Sequence, residues 1–232
     1  MMRQYVERFD AKGNGWIGWH GNGFGARALE ITRGYAISRS PWWVDYNHAP
    51  PGAGYLHLHY VLHTTVNQNT HRFEQISGLN RFIEGGFPLD FRGARVSVRL
   101  RGEMNEHGAR LMFLAQADVG TSRVNHVLHA QPIQITSDWS TQTITLEPDD
   151  AQWTCLGSRQ DRTATYSQSP IEPVLADLNV DIILVHFPLD IRPAGLMQGD
   201  PHVLRAGEDY PVDESRLPSG EIHLDEIQIA FR

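Results

Sequence analysis

The stretch Leu56-His57-Leu58-His59-Tyr60-Val61-Leu62-His63 alternates large apolar and polar side chains. A period of two is the signature of a β-strand, because successive side chains point to opposite faces. On strict alternation Leu56, Leu58, Tyr60 and Leu62 face a core, while His57, His59, Val61 and His63 share the other face. Histidines two apart on one strand face lie roughly 7 Å from each other. Imidazoles at that separation can converge on one ligand or one metal ion.

Working outward, the same alternation recurs along the chain. It covers residues 5–9, 26–31, 35–38, 54–64, 94–101, 110–117, 124–135, 140–146, 180–187 and 221–231. In 94–101, Val96, Val98 and Leu100 read as inward, with Arg95, Ser97, Arg99 and Arg101 opposite. In 110–117, Leu111, Phe113 and Ala115 read as inward and Gln116 as outward. Only Ile171 to Leu178 has a helical spacing. Many strands separated by turn signals predict an all-β, antiparallel sandwich of jelly-roll type. No linker, repeat or low-complexity tract interrupts residues 1–232, so one domain is expected. Three long connections, 66–93, 147–179 and 189–220, are expected to cover a site.

Composition narrows the function classes. Lys and Arg number 20 against 27 Asp and Glu, a formal net charge of −7. That balance argues against a nucleic-acid binder, which needs a basic face. Lys12 is the only lysine, and Cys155 is the only cysteine. A single cysteine excludes an intrachain disulfide and a cysteine-based zinc site. No apolar run has the length of a membrane span, and the N-terminal residues lack the apolar core of a signal peptide. The chain therefore reads as cytoplasmic, without a membrane partner. No nucleophile elbow, phosphate loop or dinucleotide fingerprint is present.

The two ends of the chain carry a recognisable pattern. The first runs Glu7-Arg8-Phe9-Asp10, then Gly15-Trp16 and Gly21-Asn22-Gly23. The last runs Ser219-Gly220-Glu221-Ile222-His223-Leu224-Asp225-Glu226-Ile227-Gln228-Ile229. With Ser40-Pro41-Trp42-Trp43, Gly52-Ala53-Gly54-Tyr55-Leu56 and residues 90–102, this resembles the carbohydrate-binding-module-like jelly rolls of the galactose-binding superfamily and their laminin type IV relatives. The resemblance implies a sandwich and a carbohydrate ligand. It also implies a structural calcium ion between the first and last strands, where Asp10 and Asp225 stand.

Three groups of residues can carry chemistry. His57 and His59 would act as acid and base in an enzyme, or bind a transition metal with a third ligand from His48, His129 or His186. The loop Pro41-Trp42-Trp43-Val44-Asp45-Tyr46-Asn47-His48 offers rings for stacking, with Asp45, Asn47 and His48 as polar contacts. Arg99, Arg101 and Gln116 would line the same groove, with Trp153 as a further ring. The expected function is a ligand-binding sandwich domain for a carbohydrate or other polyhydroxylated or anionic small molecule. The alternatives are a lyase, isomerase or hydrolase using the same groove, and a structural or interaction domain.

Overall fold

The computed structural model describes residues 3–20, 25–44, 55–157, 166–200 and 204–232. It is a sandwich of two antiparallel sheets, as the alternation predicts. Sheet A contains β4 (Glu30–Thr32), β5 (Tyr35–Arg39), β13 (Ser219–Ala230), β7 (Arg95–Asn105) and β10 (Ser140–Thr145), in that order. The long β13 lies along β7 on one side. Its other side is divided between β5, at Glu221 to Leu224, and β1 (Gln4–Glu7), at Ile227 to Ala230. Sheet B runs β11 (Trp153–Cys155), β9 (Ser122–Leu128), β8 (Arg110–Val119), β12 (Asp181–Leu189), β6 (Tyr55–His63), β2 (Trp16–Trp19) and β3 (Ala26–Arg27).

The inward residues of the two sheets make one core. Val96, Val98 and Leu100 meet Leu111, Phe113, Ala115, Ile182, Leu184, Tyr60 and Leu62 across it. Burying each such side chain contributes roughly 1.5–3 kcal/mol, which sets the face of every strand firmly. β13 adds Ile222 and Leu224, then Ile227 and Ile229. The change from even to odd numbers is a β-bulge: Leu224 and Glu226 oppose Leu100 and Arg99, so Asp225 is the extra residue.

A second bulge changes the reading of β6. Tyr60 opposes Leu184 and Leu58 opposes Val185, so His59 has no partner in the ladder. The faces exchange at this point. Leu56 and Leu58 pack with Val61 on the outer side of sheet B, while Tyr60 and Leu62 point into the sandwich. Strict alternation had placed the four apolar residues on one face and the three histidines on the other. Instead the bulge turns His57 and His59 toward the space between the sheets and leaves His63 outside.

The long connections hold more structure than the sequence suggests. Residues 66–93 carry α1 (Thr70–Ser77) and α2 (Arg81–Glu84), and residues 147–179 carry β11 and α3 (Ile171–Ala176). The two segments are joined where the Phe91 amide donates to the Leu175 carbonyl at 2.7 Å. Both lie at the His63 end of β6. Among the described residues, the segment after Leu189 reaches the His57 end, where Leu189, Ala206 and Tyr210 pack with Val44 and Ala109. No helix among the described residues is long and apolar enough to cross a membrane.

Candidate functional site

The His57 end of the sandwich contains a continuous chain of buried polar groups. Trp42 Nε1–H donates to Ser38 Oγ at 2.8 Å, and Ser38 Oγ lies 2.9 Å from His59 Nδ1. His59 Nε2 lies 2.6 Å from His186 Nδ1, and His186 Nε2 lies 3.2 Å from Glu106 Oε1. Three elements supply the histidines and the serine: β5 brings Ser38, the bulge of β6 brings His59, and β12 brings His186. Ser38, His59 and His186 are all buried, and His186 has no exposed surface.

The donors can be assigned from the ends. Indole N–H can only donate and a carboxylate can only accept. The Ser38 hydroxyl, having accepted from Trp42, donates to His59 Nδ1. His59 Nε2–H then donates to His186 Nδ1, and His186 Nε2–H donates to Glu106. His59 is neutral in this arrangement. Burial holds His59 well below its ordinary pKa, and the neighbouring His186 and His57 add to the effect.

His57 stands beside this chain, directly opposite His186 across the β6–β12 ladder. Its Nδ1 lies 2.8 Å from the Trp43 carbonyl oxygen, which fixes Nδ1 as the protonated nitrogen. Nε2 is buried and has no partner among the described residues, so it presents a free lone pair. Burial lowers the pKa to about 4, against the raising effect of the Trp43 carbonyl, so the ring is neutral near pH 7. The Trp42 indole packs on all three rings, with centroids 5.5 Å from His57, 4.7 Å from His59 and 6.1 Å from His186.

Glu106 links this interior to the surface. Its side chain is 23% exposed and also pairs with Arg110 Nη1 at 3.3 Å. It opens the tight turn between β7 and β8, closed by the Ala109 amide donating to the Glu106 carbonyl at 3.0 Å. His107 and Gly108 have φ of 48° and 93°, the paired positive values of a type I′ hairpin turn. The sequence reading passed over Glu106 because neither its spacing nor its neighbours connect it to His186. The turn signal His107-Gly108 was the available clue.

The remaining candidates lie elsewhere. Gln116 is on the outer face of sheet B, where Nε2 donates to Asn125 Oδ1 at 2.6 Å. There it continues a buried row with Asp181 and His63, which pair through Asp181 Oδ1 and His63 Nδ1. Trp153 is a core residue, with Nε1–H bonded to the Glu147 carbonyl at 2.9 Å. Arg99 and Arg101 project from the outer face of sheet A over Trp139, at 5.1 and 4.9 Å from its ring centroid. Gln116, Arg99 and Arg101 therefore do not share a groove with His57 and His59, because strand alternation sends them through the opposite faces, and Trp153 packs on Phe113 in the core. Asp45, Asn47 and His48 lie outside the described residues.

Of the three possible third ligands, His186 is in contact with His59, while His129 Nδ1 is engaged by Thr154 Oγ1 at 3.0 Å. Among the described residues, no three His, Cys, Asp or Glu side chains gather in a way that would hold a metal ion. Asp225 Oδ2 pairs with Arg99 at 3.2 Å, and the Arg8 guanidinium feels the charges of both Asp10 and Asp225.

No protein-family model matches the chain. No curated protein matches it either. Among solved structures, similarity is found to the L4b domain of human laminin alpha-2, with 7% identity, a TM-score of 0.41 and coverage of 100% of this chain and 99% of that one. A structure from work on endo-acting O-glycanases of the human gut microbiota has 12% identity, a TM-score of 0.40 and coverage of 97% and 98%. A pseudo β-1,3-glucanase of Mycobacterium tuberculosis has 10% identity, a TM-score of 0.39 and coverage of 98% of both chains.

Proposed function

We propose that the chain binds a carbohydrate, or a similarly hydroxylated small molecule, at the end of the sandwich where His57, Trp42 and Glu106 meet. The observation that carries this reading is the orphaned Nε2 of His57. A buried acceptor without a partner costs about 1–3 kcal/mol, which a ligand hydroxyl would recover by donating to it. The partly exposed Glu106 carboxylate offers a second acceptor, and a neutral imidazole at His57 avoids the desolvation cost of a buried charge. Calorimetric titration with a panel of neutral mono- and oligosaccharides tests the reading. Binding that is weakened at least tenfold by His57→Ala supports it. Absence of binding across the panel, or binding indifferent to that change, overturns it.

One feature favours acid–base catalysis at the same place. The chain from Ser38 to Glu106 can pass a proton between the interior and the partly exposed carboxylate without moving a heavy atom. On this reading His57 Nε2 is the base. Turnover of a bound sugar that falls in Glu106→Gln by far more than affinity does would favour the enzyme over the binding domain. His57 Nε2 is also the atom that a transition metal would meet, and metal analysis of the purified protein decides that version.

A further inference from the structure

The outer face of sheet A presents a different arrangement, around Arg101. Tyr35 stacks on His223, with centroids 5.0 Å apart and planes inclined by 16°, and meets the edge of Trp139 at 5.5 Å. Arg101 lies over Trp139 at 4.9 Å and near Tyr35 at 5.9 Å. Its Nε–H donates to His223 Nδ1 at 3.3 Å, and His223 Nε2–H donates to Glu221 Oε1 at 2.8 Å. The guanidinium is thereby oriented through a single nitrogen. Its two terminal amino groups have no hydrogen-bond or ion-pair partner among the described residues.

This is unusual for the chain. With 27 acidic residues against 20 basic ones, most of the described arginines find a carboxylate. Arg99, two residues away on the same face, pairs with Asp225 at 3.2 Å, and Arg39 on the adjoining strand takes Glu221 at 2.9 Å. Arg101 keeps its charge uncompensated while half-buried between two aromatic rings. An oriented, uncompensated guanidinium fork matches a carboxylate bidentately. The adjacent rings are suited to the apolar face of a pyranose.

We infer that Arg101, Trp139 and Tyr35 form a second site that takes an acidic saccharide, its uronate carboxylate on the free edge of Arg101 and its sugar ring against the aromatic pair. The site is separate from the His57 end and goes beyond the function proposed there.

An oligogalacturonate and its methyl ester provide the test, because they differ only in the carboxylate charge. The two are titrated against the full chain, with tryptophan fluorescence and calorimetry as readouts. The acid form is expected to bind at least tenfold more tightly than the ester and to weaken as salt rises. Arg101→Ala should remove the preference. Arg101→Lys, which keeps the charge and loses the fork, should restore only part of it. His57→Ala should leave it unchanged. Circular dichroism of both Arg101 variants shows whether the fold is kept. Equal binding of acid and ester, no binding of either, or a preference that survives Arg101→Ala overturns the inference. A preference abolished by His57→Ala and not by Arg101→Ala also overturns it, and assigns the ligand to the other site.

Discussion

His59 and His186 share a 2.6 Å hydrogen bond whose direction is set from both ends. Trp42 can only donate at one end of the chain and Glu106 can only accept at the other. The protons in between follow in one order, with every donor used. Such a network is stable when all its members are satisfied and costly when one is removed.

Ser38→Ala therefore strands two buried groups, the Trp42 indole N–H and His59 Nδ1. A loss of roughly 1–3 kcal/mol of stability is expected. Urea unfolding of the two proteins measures it. A change below about 0.5 kcal/mol would show that the serine does not hold the chain together.

The buried histidines give stability a pH dependence of definite sign. His57, lowered to about 4, and His59, held well below its ordinary value by burial, stay neutral in the fold while the unfolded chain protonates them. Below pH 6.5 the unfolded state binds more protons. Stability is then lost as pH falls toward about 4, by up to ~1.4 kcal/mol per pH unit for each histidine. Above pH 6.5 these two groups contribute no slope. Unfolding midpoints across pH 4–8 check the trend, and replacing His57 with phenylalanine should flatten it.

Asp181→Ala tests the outer face independently. It leaves the buried His63 Nδ1 without its partner and should also cost roughly 1–3 kcal/mol. The inner chain and the outer pair share no group and lie toward opposite ends of β12. The effects of Ser38→Ala and Asp181→Ala should add to within about 0.5 kcal/mol in the double variant. A larger departure would mean that β12 couples the two ends.

Glu106→Gln keeps an acceptor for His186 Nε2–H and removes the charge that pairs with Arg110. A surface ion pair of this kind is worth about 0–1 kcal/mol, so the fold should be little affected. Sugar binding at the His57 end should weaken by about tenfold as a charged acceptor becomes a neutral one. Unchanged affinity would remove Glu106 from the site.

Much of the sandwich was legible because burial enforces alternation. Val96, Val98 and Leu100, and likewise Leu111, Phe113 and Ala115, point where the sequence places them. β2 and β11, of four and three residues, are too short to show a period. α1 was missed because Phe73 and Ile76 supply its only large apolar residues. For the site, His57, His59 and Trp42 were found, and His186 was placed on its correct face. Ser38 and Glu106 join them through pairings remote in sequence, 21 and 80 residues apart. The grouping of His63 with the other histidines failed for a physical reason. A bulge flanked by leucines and a tyrosine leaves an unbroken pattern of alternation, because all of these side chains are buried on either face. In β13 the same device is visible, since Leu224 and Ile227 break the period.

The unpaired residue at position 59 also divides the labour of one strand. Residues before it send leucines outward and a histidine inward; residues after it do the reverse. Deleting His59 would close the ladder with Leu58 still outward and Tyr60 still inward, and would remove the imidazole that joins Ser38 to His186. The extra residue thus lets evenly spaced apolar residues serve both faces of the sheet, and sets one imidazole between the two sheets.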